Sequence, residues 1–147
     1  MPSIFLRSAI LVLTFISTSA LAANEQLQML NQDKHGMMAF EPTFLNVASG
    51  DTVTFLPTDI VHNTRSVCSP ANGASWNGNM GEEVTGMLEE EGAFVYQYDR
   101  HLALGMVGVI QVSKAGNLKH AGKQALTMCG RIAVNTARLE QYPGQVK

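Results

Sequence analysis

Two short segments of this chain carry side chains that could together bind a transition metal. The first is Asp59-Ile60-Val61-His62-Asn63, where a Thr- and Val-rich strand gives way to a loop. The second is Tyr98-Asp99-Arg100-His101-Leu102-Ala103-Leu104-Gly105-Met106, a loop joining two apolar strands. A lone histidine at a strand edge is ordinarily a polar surface residue. A second histidine followed five residues later by a methionine that opens another strand is a less common pattern. Two imidazoles and a thioether suit copper, because nitrogen binds both oxidation states and soft sulfur favours Cu(I). His35 with Met37 and Met38 offers another group of soft donors, although a surface loop with core-facing methionines is the commoner meaning of such a run. No Ser-His-Asp spacing, paired-carboxylate motif or phosphate loop is present, so an enzyme is not expected.

These loops need a frame. From Leu27 to Val112 short alternating runs are broken by turn residues, which predicts an antiparallel β-sandwich. Phe44-Leu45-Asn46-Val47 ends at the turn Ser49-Gly50-Asp51, and Thr52-Val53-Thr54-Phe55 then places Val53 and Phe55 on one face. Residues 69–81 are rich in Ser, Asn and Gly and read as a long loop. Phe94, Tyr96 and Tyr98 share one face of the next strand, and Met106 to Val112 is nearly continuous apolar sequence, as in a central strand. Beyond Gly116 the period changes. Ala125, Met128, Cys129, Ile132, Thr136 and Leu139 recur every three or four residues, which predicts an amphipathic helix.

Residues 1–22 have the layout of a cleaved secretory signal: Arg7, an apolar run from Ala9 to Ile16, and the small-x-small site Ala20-Leu21-Ala22. That run is too short to anchor the chain in a bilayer. The mature chain, 23–147, is expected to be one exported domain without a membrane anchor, comprising a sandwich over 23–114 and a helical tail over 117–141. It carries nine Lys and Arg against twelve Asp and Glu, with no basic stripe, so nucleic acid is not an expected partner. Glu82-Glu83 and Glu89-Glu90-Glu91 read as solvated turn faces. Two cysteines in an oxidising compartment, Cys68 and Cys129, permit one disulfide; two buried thiols are the alternative.

With these residues in view, the chain resembles the pseudoazurins, a family of cupredoxins. The run Val47-Ala48-Ser49-Gly50-Asp51-Thr52-Val53-Thr54-Phe55, continuing through Pro57-Thr58-Asp59 to His62-Asn63, is similar to the segment that supplies the family's upstream histidine ligand. Met29-Leu30-Asn31 and Gly36 through Phe40-Glu41-Pro42 resemble its first hairpin. His101, Met106 and the strand Val107-Gly108-Val109-Ile110-Gln111-Val112 resemble its ligand loop and final strand, and the tail opening at Asn117-Leu118 matches as well. The resemblance implies an all-β Greek-key cupredoxin sandwich of about eight strands with a short helical tail. It further implies a periplasmic, monomeric one-electron carrier with one copper ion, held by His62 and His101 with Met106 as weak axial ligand. Met38 would lie over the outer histidine, and Asn63 would tie the two loops by a hydrogen bond. Leu102, Ala103 and Leu104 would form the apolar patch that meets a redox partner protein.

One position departs from the family. Three residues before the downstream histidine, where pseudoazurins have the copper-binding cysteine, this chain has Tyr98. The aromatic alternation Phe94, Tyr96, Tyr98 keeps the frame, and neither Cys68 nor Cys129 stands where that ligand should. Without a thiolate, the short bond that gives blue copper its colour is lost. Either Tyr98 supplies a phenolate, a hard donor favouring Cu(II), or it turns aside and copper keeps three protein ligands. Three functions follow: an electron carrier with an altered site, a copper storage or delivery protein, and a metal-free shell that binds proteins. Arg100 is the one cation beside His101, with Asp99 adjoining it, so electrostatic steering of a partner should be weak.

Overall fold

The computed structural model describes residues 21–114, 116, 121, 131, 133, 134 and 137–140. Nearly all of the signal segment, most of the expected tail helix, and Cys129 lie outside them.

Eight strands form: β1 (Asn24–Asp33), β2 (Gly36–Glu41), β3 (Phe44–Val47), β4 (Asp51–Leu56), β5 (Arg65–Cys68), β6 (Val84–Leu88), β7 (Gly92–Gln97) and β8 (Val107–Val112). They make two four-stranded sheets, ordered β2-β1-β4-β6 and β3-β8-β7-β5. The sandwich is not wholly antiparallel: β1 runs parallel to β4, and β3 parallel to β8. These partners are distant in sequence, and the chain reaches them only by crossing between sheets. Alternation within a strand reports which face is buried; it cannot report the direction of a neighbour.

Between the sheets lies the main core, with Leu27, Met29, Phe40, Val53, Phe55, Phe94, Tyr96, Ile110 and Val112 all inside it. Every residue of β7 and β8 is buried. The outward face of these strands is covered as well, since Ala93, Val95, Val107 and Val109 join a second cluster with Cys68, Leu102 and Ala121. Ala121, one of the few described tail residues, therefore packs on this sheet. A four-residue helix, α1 (Ala137–Glu140), is also described. Among the described residues Cys68 has no disulfide partner, and burial pushes its thiol pKa up.

The sandwich positions the candidate site through its ends. Tyr98 follows β7 and Met106 precedes β8, and the Tyr98 N–H donates to the Met106 carbonyl at 3.0 Å. That bond closes the intervening loop, which is shaped by a 3-10 turn (Leu102–Leu104) capped by Gly105 at φ 75°. Glycine reaches this left-handed conformation without a Cβ clash.

Candidate metal centre

Three rings meet where the two loops converge. His62 and Tyr98 have centroids 5.0 Å apart, Tyr98 and His101 4.7 Å, and His62 and His101 6.4 Å. His62, Tyr98 and Met106 are buried, and His101 is half-exposed.

The hydrogen bonding of His62 fixes its tautomer. Its Nε2 lies 2.9 Å from Asn31 Oδ1, an acceptor, so Nε2 carries the proton and Nδ1 bears the lone pair. Asn31 is itself held, its N–H donating to Asp59 Oδ2 at 2.6 Å. Burial first, and then the neighbouring His101, hold the His62 imidazole below its ordinary pKa, with Asp59 opposing. The neutral ring is therefore the resting form at pH 7. The Nδ1 atoms of both His62 and His101 are buried and have no hydrogen-bond partner. A buried polar atom without a partner calls for an explanation. A metal ion at the junction of the loops would provide one.

Tyr98 does not direct its oxygen at that junction. Its hydroxyl donates to the Val61 carbonyl at 2.8 Å. Val61 has φ 73°, a conformation that costs a β-branched residue on the order of 1–3 kcal/mol. The phenol thus holds a strained peptide immediately before His62.

The remaining predicted residues fall as follows. Asn63 donates to Asp99 Oδ2 at 3.1 Å and accepts from the Asp99 N–H at 3.2 Å, so it spans the two loops. Asp99 also receives Gln97 Nε2 at 2.9 Å and Arg65 Nε at 2.7 Å. Burial alone would raise the Asp99 carboxyl, but the bonds from Gln97, Asn63 and Arg65, with the charge of Arg65, hold it below the usual carboxylate range. Met38 is half-buried against the main core at φ 53°. His35 is exposed and Met37 mostly so.

The expected apolar patch needs correction. Leu102 is buried, because the 3-10 turn directs it into the cluster that also holds Ala121. Ala103 is exposed and Leu104 half-exposed. Other exposed apolar side chains on segments joined to the site are Met37, Ile60, Val61 and Met80. Sequence reasoning also missed the supporting roles of Asn31, Val61, Asp99 and Arg138. A polar residue opposite a ligand loop gives no periodic signal; Asn31, Val61 and Asp99 all stand in segments singled out in the sequence, and Arg138 does not.

Among the described residues no group of three or more His, Cys, Asp and Glu is placed to hold a metal. The donors that the resemblance implies are instead two imidazole nitrogens and the sulfur of Met106. That set fits copper, which accepts nitrogen and thioether donors and does not need a carboxylate.

The comparisons with known proteins agree with this chemistry. The family model described as copper binding proteins, plastocyanin/azurin family, matches residues 27–113. A pseudoazurin from Paracoccus pantotrophus is 32% identical over 122 residues, covering 82% of this chain and 84% of that one. A protein of Rhizobium leguminosarum bv. viciae described as a pseudoazurin is 40% identical over 98 residues, or 65% of this chain and 64% of its own length. The crystal structure of pseudoazurin from Methylobacterium extorquens AM1 superposes with a TM-score of 0.73 at 27% identity, covering 84% of this chain and 99% of that one. The chain belongs to the plastocyanin/azurin family of copper-binding proteins and, within it, is a pseudoazurin-like cupredoxin.

Proposed function

We propose that this chain is an exported, periplasmic copper-binding protein of the electron-carrier type, working as a single domain after loss of residues 1–22. His62, His101 and Met106 hold one copper ion without a thiolate, and Tyr98 is not a ligand. The observation that carries this reading is the pair of buried, unpartnered Nδ1 atoms on His62 and His101. The family of the relatives supports copper as the metal.

When bound, copper supplies a one-electron couple between Cu(I) and Cu(II). The chain's own residues do the rest. Asn31 fixes His62 in the tautomer that leaves its Nδ1 lone pair free for a metal. Asn63 and Asp99 hold the two loops in register. The Tyr98 ring excludes water between the imidazoles. His101, half-exposed, offers an edge to a redox partner protein, with Ala103 and Leu104 beside it and Ile60 and Val61 extending the apolar rim. The protein acts as a monomeric carrier and not as an enzyme.

One observation favours a second reading, copper storage or delivery. Because the Tyr98 hydroxyl is committed to Val61, the donors are neutral and include a soft sulfur, which favours Cu(I). A holding role does not require rapid electron exchange.

Anaerobic competition for Cu(I) against a coloured chelator tests the proposal. One equivalent should bind per chain, and His62→Ala or His101→Ala should each weaken binding at least tenfold. A chain that takes up no copper would instead be a metal-free shell. A reversible one-electron wave from loaded protein supports the carrier, and its absence supports the storage role.

A further inference from the structure

Arg138 lies in α1, about a hundred residues beyond the first hairpin, yet its guanidinium is drawn into the frame of the metal centre. Its side chain is 6% exposed. Nη1 donates to the main-chain carbonyls of Met38 and of Gly105, the latter at 2.9 Å, and Nη2 donates to the Met37 carbonyl at 3.2 Å. The carboxylate of Asp33, 4% exposed, stands 3.8 Å from Nη2. Burying a guanidinium is costly unless its hydrogen-bonding capacity is used and a counter-charge is near. Here Nη1 and Nη2 are used while Nε and Asp33 Oδ2 have no hydrogen-bond partner, and the acceptors belong to two separate segments. Met37 and Met38 are on β2, and Gly105 is the residue before Met106. A planar fork can bridge two such segments, whereas an ammonium acts as a single point.

The carbonyls belong to a strained residue on one side, Met38, and to the left-handed turn that leads into Met106 on the other. Met38 is held at φ 53° and Gly105 at φ 75°. The same tail segment bonds the loop again, since the N–H groups of Ala133 and Val134 donate to the Ala103 carbonyl at 2.7 and 3.1 Å. The tail therefore contacts the ligand loop at both Ala103 and Gly105.

We propose that Arg138 is a positioning residue for the metal centre: it clamps β2 to the ligand loop and so sets where Met106 and Met38 sit relative to His101. The assignment of Met106 as a ligand rests on the function proposed above, but the clamp itself can be tested without metal. In metal-free protein, Arg138→Gln should shift the side-chain methyl resonances of Met38 and Met106. It should also speed amide exchange at Gly105 and Met106 while leaving Val53 to Phe55 in β4 unchanged. Arg138→Lys keeps the charge beside Asp33 but not the fork, so it should show the same local changes at smaller size. It also serves if the Gln variant does not fold.

In the copper-loaded protein, Arg138→Gln should weaken Cu(I) binding on the order of tenfold, as for other residues that orient metal ligands. Unmoved methyl resonances, a uniform rise in exchange across the sandwich, or a Lys variant identical to the unaltered protein would overturn the proposal. If the unaltered chain binds no copper, the functional reading fails, and the metal-free measurements still decide the role of Arg138.

Discussion

Tyr96 and Tyr98 lie two residues apart and point the same way, yet the molecule treats them differently. Tyr96 is inside the sandwich, packed edge-on against Phe40 at 4.8 Å and Phe55 at 5.0 Å, with its hydroxyl buried and without a partner. Burial there pushes its phenol far above the ordinary value. Tyr98 stands one step past the strand, among imidazoles, and its hydroxyl is bonded to Val61. The sheet's alternation decides that both rings go inward. The loops at the sandwich end decide which oxygen finds an acceptor. A pleated interior offers apolar surface, whereas a loop end offers free carbonyls, so polar chemistry collects at the end.

The strongest way to disturb the interior half of this comparison is at Gly108, opposite Tyr96 on β8. A Cβ there would come within 2.3 Å of the Tyr96 hydroxyl and 2.4 Å of its ring carbon. A rigid ring in a packed core cannot move aside, so Gly108→Ala should destabilise by about 1–3 kcal/mol in urea unfolding. An unchanged midpoint would mean that the core around Tyr96 is loose.

At the loop end, Asp99 gathers bonds from Asn63, Gln97 and Arg65. Its carboxyl is depressed in the folded state. Its stabilisation is therefore present above the ordinary aspartate value of 3.8 and is lost as pH falls through the lower folded value. Asp99→Asn should cost about 1 kcal/mol at pH 7, a figure discounted for its partial exposure, and the difference from the unaltered protein should close on acidification. Parallel pH profiles for the two proteins would remove Asp99 from this role.

The smallest effects should also be the most discriminating. Tyr98→Phe leaves the Val61 carbonyl without its donor and should destabilise by about 1 kcal/mol. Tyr96→Phe removes a buried hydroxyl that has no partner and should stabilise by up to about 1 kcal/mol. Thermal or urea unfolding of the two variants should give changes of opposite sign. The same sign for both would show that the two hydroxyls do not differ as described.

Much of the frame was legible in the sequence, for identifiable reasons. Val53 and Phe55 on β4, and Phe94 and Tyr96 on β7, alternate because one face of each strand meets the core. The nearly continuous apolar run of β8 reads as a central strand because both its faces are covered. Strands β5 and β6 were less legible: Arg65–Cys68 and Val84–Leu88 are short, and polar residues or glycine interrupt them. The parallel pairings were not legible at all. Leu102 misled, since an apolar residue beside a histidine looks like surface patch until a 3-10 turn directs it inward. Arg138 left no signal, because its partners are main-chain carbonyls, which no residue type announces.

The central claim is that the centre lacks only a thiolate, with Tyr98 turned to Val61 and the remaining donors in place. The visible absorption spectrum of copper-loaded Tyr98→Cys protein tests it most directly. A cysteine at this position should supply the missing sulfur and give the intense blue band of a Cu(II)–thiolate centre. The unaltered protein, loaded in the same way, should show none. If Tyr98→Cys protein takes up copper and stays colourless, the loops do not hold His62, His101 and Met106 in the arrangement claimed, and the account is wrong.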